Sequence, residues 1–267
     1  MASWFKKYLV VFMTVLIAMG IVFMNFFQST DKSDREVLTI GLQCGYPPFE
    51  YRDENGKMVG FDIDIGEKIA EKLGKKLVIK DMDFDGEILS LKQGKIDLII
   101  SGMNITPSRE KEIFMVPYHG DAATSLSLIF WEKIPDGVES IEDIKKLSNS
   151  TVSVGIGTIP ETYIKRYPEI QSKSFEGALA CLIDVKYGKS VANLVEADVA
   201  EYLQKQHPEI KTLQVPLSKD ESIAGFGIGI NKNNQILFQK ISETIQELKA
   251  TGELKQLDDK WFKSDIQ

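Results

Sequence analysis

The sequence predicts an α/β fold that is divided into two lobes of related design. Short apolar strands alternate with amphipathic helices from residue 37 onward, and this alternation is typical of largely parallel sheets. A second, similar succession of strand, helix and strand begins near residue 151, and 267 residues are enough for two modest domains. We therefore expect a cleft between two similar lobes.

The first lobe is predicted from apolar runs that end at glycine or at polar residues. A helix after Phe61 carries Ile65, Ile69 and Leu73 on one face, and Gly74 marks its end. The β-branched residues before Ser101 indicate a buried strand. In order, the predicted elements are a strand over 37–42, a helix from 61, a strand over 77–79, a helix over about 85–93 and a strand that ends at 101.

The second lobe repeats this design. A strand over residues 151–154 leads into the glycine loop 155–158, and a helix opens at Pro160. A further helix passes through Leu182 and Val185, and a strand over 191–195 follows it. The glycine loop by itself indicates a tight turn more than a phosphate site, because it lacks a third spaced glycine and the lysine of a P-loop.

The chain is predicted to cross between the lobes twice, near residues 125–130 and 222–229. Ile241, Ile245 and Leu248 then share one face of a helix that returns to the first lobe. Two crossings form a hinge, which suits a ligand enclosed by closure of the lobes. The predicted boundaries are 37–125 with 226–267 for lobe 1, and 126–225 for lobe 2.

Residues 1–36 are predicted to be a membrane anchor or a signal segment. Lys6 and Lys7 precede an apolar run, residues 8–27, that is long enough to cross a bilayer at about 1.5 Å per residue. Cleavable signals have shorter apolar cores, and the candidate cleavage site at 18–20 would leave an apolar N-terminus. An uncleaved anchor is favoured, and we expect the rest of the chain to be periplasmic or otherwise extracytoplasmic.

Composition excludes several classes of function. The net charge is −7 and no basic cluster is present, which argues against binding of nucleic acid. His119 and His207 have no metal-ligand spacing around them, so we expect neither a metal nor another cofactor. Cys44 and Cys181 are too few for a disulfide framework, and their apolar surroundings predict buried free thiols.

Residues 100–111 form the most informative segment of the chain. Thr106 and Pro107 predict an N-cap and the first position of a helix, which places Arg109 in the first turn. A cation at the positive end of the helix dipole costs up to about 1 kcal/mol unless an anion joins it. The plain alternative is a surface ion pair with Glu110 or Glu112. The segment therefore favours a site for the carboxylate of a ligand.

Six short runs of residues are each common in proteins but are specific as a set. They are Tyr46-Pro47-Pro48-Phe49-Glu50, Gly56-Lys57, Val59-Gly60-Phe61-Asp62-Ile63-Asp64, Gly94-Lys95-Ile96-Asp97, Ile105-Thr106-Pro107-Ser108-Arg109 and Lys260-Trp261-Phe262. With these runs, the chain from Val37 onward resembles the extracytoplasmic solute-binding proteins of polar-amino-acid ABC transporters. The resemblance implies the type II periplasmic-binding-protein fold, and three stretches (105–109, 115–120 and 187–190) are most similar to arginine-binding members.

The resemblance also implies which residues hold the ligand's amino-acid group. Arg109 would clamp the α-carboxylate as a bidentate partner, and Glu196 would accept hydrogen bonds from the α-ammonium group. Four further residues would assist around the carboxylate. They are Ser101, Gly102, Asn104 and, in the second lobe, Thr158.

The ligand side chain is implied to lie between Tyr46 and Phe84, where a planar guanidinium would stack on the rings. Gln43 and Glu50 flank Tyr46 and are candidate acceptors for the distal group. Some binders of basic amino acids have an aspartate where this chain has Gln43, and members often have a serine or threonine where it has Ile159. The first departure bears on a preference for lysine or ornithine, and the second bears on the loop contacts.

Three of these residues also have a structural alternative. Tyr46 beside two prolines fits a stabilised turn, Phe84 fits a core position, and Glu196 fits a cap for the helix that follows it. For Arg109, Glu196 and Tyr46 the binding role is the favoured one. For Phe84 the residues alone favour neither reading.

The sequence thus predicts a non-catalytic binding protein that captures an amino acid, with arginine favoured, and delivers it to a membrane permease. We expect a monomer. A periplasmic dehydratase-type enzyme on the same fold is the alternative from another class, with Glu196 as one of few acid–base candidates. An amino-acid sensor domain is the third, and it would need a separate signalling partner.

Overall fold

The computed structural model describes residues 36–218 and 223–263 and contains two five-stranded sheets. The strands are β1 (Val37–Leu42), β2 (Tyr51–Arg52), β3 (Met58–Val59), β4 (Lys76–Asp81), β5 (Leu98–Ile99), β6 (Ile113–His119), β7 (Ser125–Trp131), β8 (Thr151–Gly155), β9 (Gln171–Phe175), β10 (Ala192–Glu196), β11 (Ile210–Pro216) and β12 (Phe226–Asn231). Lobe 1 has the sheet β4-β1-β5-β12-β6, and lobe 2 has the sheet β11-β7-β10-β8-β9. The two-lobed α/β fold is confirmed.

Helices cover both sheets. They are α1 (Phe61–Lys72), α2 (Glu87–Lys92), α3 (Pro107–Glu112), α4 (Ile159–Ile164), α5 (Ala178–Lys186), α6 (Ala197–Gln206), α7 (Gln235–Thr251) and α8 (Glu253–Asp258), with 3-10 turns at Phe84–Gly86 and Ile141–Lys146. The apolar stripes predicted for α1 and α7 are buried: Ile65 and Ile69 in α1, Ile241 and Leu248 in α7 are all fully inaccessible. Burial of such a face provides most of the stability of a surface helix.

Each sheet is half parallel and half antiparallel, whereas the alternation of elements predicted largely parallel sheets. In lobe 1, β1 runs parallel to β4 and β5, but β12 is antiparallel to β5 and β6. In lobe 2, β10 runs parallel to β8, but β7 is antiparallel to β10 and β11. The physical reason is that the chain enters β7 and β12 from the other lobe. These two strands therefore run in the opposite direction to the strands that are joined by helices within one lobe.

The first crossing precedes its predicted segment, and the second overlaps the start of its predicted segment. Ser125–Trp131 forms β7 inside the sheet of lobe 2, and Phe226–Asn231 forms β12 inside the sheet of lobe 1. The sheets are joined by residues 120–124 and 217–225, of which 219–222 lie outside the described residues. Ala123 and Ile223 bridge the two connections with N–H···O distances of 2.7 and 3.1 Å. The apolar runs that suggested crossings are instead needed to fill the two cores.

Two further predictions concern the N-terminus and the cysteines. The predicted anchor over residues 8–27 lies outside the described residues. Within 36–218 and 223–263, no helix combines the length and the apolarity that a membrane span requires. Cys181 is a buried free thiol as predicted, but Cys44 is only half-buried, because it follows β1 in a loop where its N–H bonds to Asp81 at 3.0 Å.

Candidate ligand-binding cleft

A small cavity lies between the lobes, where strands of both sheets end. Its volume is about 20 Å³, which is room for about one water molecule. Nine of the ten predicted site residues line it, and they come from both lobes. They are Gln43, Tyr46, Glu50, Phe84, Ser101, Gly102, Asn104, Thr158 and Glu196.

Arg109, the tenth predicted residue, spans the cleft next to this cavity. As the sequence predicts, Thr106 caps α3 by accepting from the Arg109 N–H at 3.2 Å, with Pro107 at the first helical position. The guanidinium donates to the Asn104 carbonyl in lobe 1 at 2.8 Å and to the Gly157 carbonyl in lobe 2 at 3.1 Å. Its Cζ lies 5.2 Å from the centre of the Phe84 ring.

The alternative in which Arg109 is a surface residue paired with its own helix is therefore wrong. Glu112 instead pairs with Lys92 at 3.0 Å. Burial lowers the pKa of the Arg109 guanidinium, and the charges of Glu196 and Glu87 oppose that shift. A desolvated cation whose hydrogen bonds end on neutral carbonyls would gain from a carboxylate partner, because charge-assisted bonds are roughly twice as strong.

Glu196 faces Arg109 from lobe 2 and is 5% exposed. It occupies the N-cap position of α6, but its side chain makes no capping bond. Its carboxylate instead accepts a hydrogen bond from the Tyr46 hydroxyl at 2.5 Å, so the capping alternative is wrong. Burial raises the pKa of Glu196, while the Tyr46 hydrogen bond and the Arg109 charge lower it.

Tyr46 both stabilises a turn, as its structural alternative predicts, and lines the cleft. Its backbone closes a turn, since its N–H donates to the Glu50 carbonyl at 2.8 Å. The ring packs on Phe49 at 5.6 Å between centroids, and the hydroxyl reaches Glu196. Gly102 allows this packing: its φ is +46°, and a Cβ there would lie 2.8 Å from the Tyr46 ring.

Three predicted donors around the carboxylate already have partners. The Ser101 hydroxyl donates to Glu87 Oε1 at 2.7 Å, and the Gly102 N–H donates to Asp62 at 2.7 Å. The Thr158 hydroxyl donates to the Gly155 carbonyl at 2.7 Å and caps α4. These groups shape the cleft through hydrogen bonds to other residues of the same lobe.

Three buried carboxyl groups lie directly behind the cleft in lobe 1. Glu50, Asp62 and Glu87 are at most 1% exposed. Burial raises the pKa of each, most strongly for Glu50 and Glu87. One carboxylate oxygen of Glu50 and one of Glu87 have no hydrogen-bond partner within the described part of the chain.

The sequence reasoning assigned no role to Asp62 and Glu87. For Asp62, which lies in the motif 59–64, the available signal of burial is its alternation with apolar neighbours. Glu87 looks like an ordinary acidic residue in the first turn of a helix. It also missed a contact at the edge of the cleft, where the Gln43 side-chain amide donates to the Glu176 carboxylate of lobe 2. No local pattern distinguishes Glu176 from a surface acid.

Comparisons with known proteins agree with this architecture. The family described as bacterial extracellular solute-binding proteins, family 3, matches residues 38–264. The probable ABC transporter arginine-binding protein ArtJ of Chlamydia trachomatis is 38% identical over 229 residues, 86% of this chain and 87% of that protein. The arginine-binding extracellular protein ArtP of Bacillus subtilis is 30% identical over 260 residues, 96% of this chain and 98% of that protein.

A solved structure is similar over the same region. An ancestral arginine-binding protein bound to arginine has a TM-score of 0.76 and 34% identity, and the match covers 85% of this chain and 99% of that one. The match extends over both lobes.

Proposed function

Because the chain belongs to the bacterial extracellular solute-binding proteins, family 3, we propose that it captures arginine outside the cytoplasm and delivers it to the permease of an ABC transporter. One observation carries the proposal. The half-buried guanidinium of Arg109 lies beside the cavity in lobe 1, and the buried carboxylate of Glu196 lines the cavity from lobe 2. This pair matches the opposite charges of an amino acid.

The proposed binding mode exchanges neutral partners for charged ones. The ligand α-carboxylate replaces the carbonyls of Asn104 and Gly157 as the acceptor for Arg109, in a bidentate pair. The α-ammonium group replaces the Tyr46 hydroxyl as a donor to Glu196. Tyr46 and Phe84 then flank the ligand side chain.

Ligand entry requires the lobes to separate, since a cavity of about 20 Å³ holds about one water molecule and no amino acid. In the described part of the chain, two connections join the sheets, and they are bridged at Ala123 and Ile223. Rotation about this pair would open the cleft without breaking either core. The proposed cycle is therefore opening, capture and closure.

The proposal includes the location and the assembly of the protein. Residues 8–27 would tether a monomer to the outer face of the cytoplasmic membrane, which would keep it near the permease. Glu196, the acid–base candidate of the dehydratase alternative, has a role here as a partner for the ligand ammonium group.

A ligand screen tests the proposal. Thermal unfolding of the purified protein is measured with each common amino acid, and arginine at a hundred times its dissociation constant should add about 2.7 kcal/mol of stability. The Arg109→Ala variant is the matched control and should show no shift. If no amino acid raises the unfolding temperature of the unchanged protein, the proposed function is wrong.

A further inference from the structure

The Ser101 hydroxyl, one of the predicted ligand donors, is held between two groups of lobe 1. Ser101 follows β5, is buried and lines the cavity. Its Oγ accepts a hydrogen bond from the Gln43 backbone N–H at 3.0 Å and donates to Glu87 Oε1 at 2.7 Å. A hydroxyl has one hydrogen to donate and can accept two hydrogen bonds. The hydrogen of Ser101 is therefore committed to Glu87, while its oxygen can accept one further bond.

The carboxyl group of Glu87 lies in surroundings that favour its neutral form. Glu87 is fully buried, and its Oε2 has no hydrogen-bond partner among the described residues. A buried carboxylate with an unpaired oxygen is costly, and a neutral carboxyl group costs less. Burial raises the pKa of Glu87 well above its ordinary value, the Ser101 hydrogen bond and the Arg109 charge oppose this shift, and the Asp62 charge adds to it. Glu50 also lies within reach of the Glu87 charge.

A proton on Glu87 reverses the direction of its bond to Ser101. Oε1 is the oxygen in contact with Ser101, so the O–H of a neutral Glu87 donates to Ser101 Oγ. Together with the Gln43 N–H, this bond fills both acceptor positions of the serine oxygen. The hydroxyl hydrogen of Ser101 is then released. Because Ser101 lines the cavity, that hydrogen becomes available to a ligand.

We propose that Glu87 is a positioning residue that takes up a proton when an amino acid binds, and that the Ser101 hydroxyl then donates to the ligand α-carboxylate. The inference rests on the proposed function and adds one proton to its binding step. The buffer supplies this proton, which bonds to Glu87 Oε1, and the Ser101 hydroxyl turns about its Cβ–Oγ bond. The ligand carboxylate also offsets the Arg109 charge, which otherwise favours ionised Glu87. Capture is therefore coupled to proton uptake behind the cleft.

Calorimetry on the full chain, purified in mild detergent, tests the coupling. Titration with arginine in two buffers of different ionisation enthalpy counts the protons that are taken up on binding. At about pH 8, we expect the unchanged protein to take up at least about half a proton more than Glu87→Gln. The glutamine has the same shape, and its amide donates to Ser101 without titrating.

The pH profile of the affinity gives a second measure. The ratio of the arginine affinity of the unchanged protein to that of Glu87→Gln should fall at least about threefold between about pH 6 and about pH 9, because only the unchanged protein must gain a proton. This ratio removes the titration of Glu196, which both proteins contain. A Glu87 side chain that only fills space would leave the ratio constant.

Two further variants locate the effect. Glu110→Gln is the matched control, since it removes the same charge from an exposed position of α3, and it should take up as many protons as the unchanged protein. Ser101→Ala removes the hydroxyl that Glu87 acts through. In that background, adding Glu87→Gln should change proton uptake by less than about half as much as it does with Ser101 present.

Three results overturn the inference. Equal proton uptake by the unchanged protein and Glu87→Gln, with arginine bound by both, overturns it and leaves the proposed function in place. An effect of Glu87→Gln that is undiminished in Ser101→Ala also overturns it, because Ser101 is then not the group through which Glu87 acts. If the unchanged protein binds no amino acid, the proposed function fails, and the inference falls with it.

Discussion

The two lobes are built on the same sheet but bury different chemistry next to the cleft. In each, three parallel strands adjoin an antiparallel pair. Lobe 1 buries the carboxyl groups of Glu50, Asp62 and Glu87 behind the ligand residues. Behind the cleft in lobe 2 lie the neutral groups of Ser153 and Asn193, joined by a bond of 2.9 Å from the Asn193 amide to the Ser153 carbonyl. Behind the cleft, lobe 1 therefore buries ionisable groups where lobe 2 buries neutral ones.

The hydrophobic cores of the two lobes also differ, because one is rich in aromatic rings and the other is mainly aliphatic. In lobe 1, the Phe49 ring contacts a cluster of aromatic rings that includes Phe61, His119, Phe226 and Phe262, with centroids 4.6 to 6.3 Å away. The core of lobe 2 is mainly aliphatic. Packed rings next to Tyr46 hold one wall of the cleft in place, so lobe 1 is the preorganised half of the site and lobe 2 is its cover.

Removing the charged partner in lobe 1 is the strongest test of this difference. We expect Arg109→Ala to lower arginine affinity by about a thousandfold, roughly 4 kcal/mol, because the ligand carboxylate loses its bidentate partner in a desolvated site. Lys111→Ala, an exposed cation on the same helix, is the control. Calorimetry measures both, and an Arg109→Ala affinity within about threefold of the unchanged protein would place the carboxylate elsewhere.

The charged residue of lobe 2 should matter less. Glu196→Gln keeps the shape and a hydrogen-bond acceptor but loses the charge, so we expect a loss of about thirtyfold, roughly 2 kcal/mol. The pKa of Glu196 is raised, and protonation abolishes its attraction for the ammonium group. Affinity of the unchanged protein should therefore fall as the pH drops through this raised pKa, which lies above 4.5. Tyr46, Arg109 and Asp198 face the same group and contribute to its titration.

Calorimetry at a series of pH values from neutrality down into the acid range compares the two proteins. The Glu196→Gln variant should lack the acid-side loss that the unchanged protein shows. An identical acid-side loss in both would assign the titration to another group.

Two substitutions of Tyr46 distinguish the contribution of its ring, which forms a wall of the cleft, from that of its hydroxyl, which contacts the other lobe. Tyr46→Phe keeps the ring and removes only the hydroxyl bond to Glu196, a bond that ligand entry breaks in any case. We expect it to change arginine affinity by less than about threefold, whereas Tyr46→Ala should cost about tenfold through lost stacking. Equal effects of the two substitutions, measured by calorimetry, would mean that the hydroxyl and not the ring binds the ligand.

The buried acids of lobe 1 predict the smallest effect, on stability. The pKa of Glu87 in the native state is raised above 4.5 by burial, so the native state binds more protons than the unfolded one. Its contribution is present at low pH and is lost as the pH rises through the native pKa, by up to about 1.4 kcal/mol per pH unit. Urea unfolding of the ligand-free protein should show a shallower pH dependence for Glu87→Gln, and an unchanged slope would contradict this.

The sequence predicts well those parts of the fold that depend on local pattern. The stripes of α1 and α7, the Thr106 cap and the strand before Ser101 follow from spacing alone. The first crossing was predicted too late in the chain, because an apolar strand in a sheet and an apolar segment between lobes have the same hydrophobic pattern. Whether a strand enters a sheet against its neighbours depends on tertiary connections, which periodicity does not contain.

The site divides in the same way. Of the ten residues that the resemblance selects, nine line one cavity and Arg109 lies beside it. Their binding roles stay predictions. Asp62 and Glu87 were given no role because a buried acid and a surface acid are the same letter in a sequence. Their burial follows from packing between segments that are far apart along the chain, such as the 58 residues between the Gln43 N–H and the Ser101 hydroxyl that it contacts.

The contact between residues 45 and 177 has a mechanical consequence. Gly177 has a φ of +76° and leaves no room for a Cβ, so main chain meets main chain where the lobes touch. No side chain lies between them that could rotate or compress. Main chain that meets main chain at this point therefore sets the closest approach of the two lobes. Because the cavity of about 20 Å³ at this approach holds no amino acid, lobes that enclose a ligand must stop short of it.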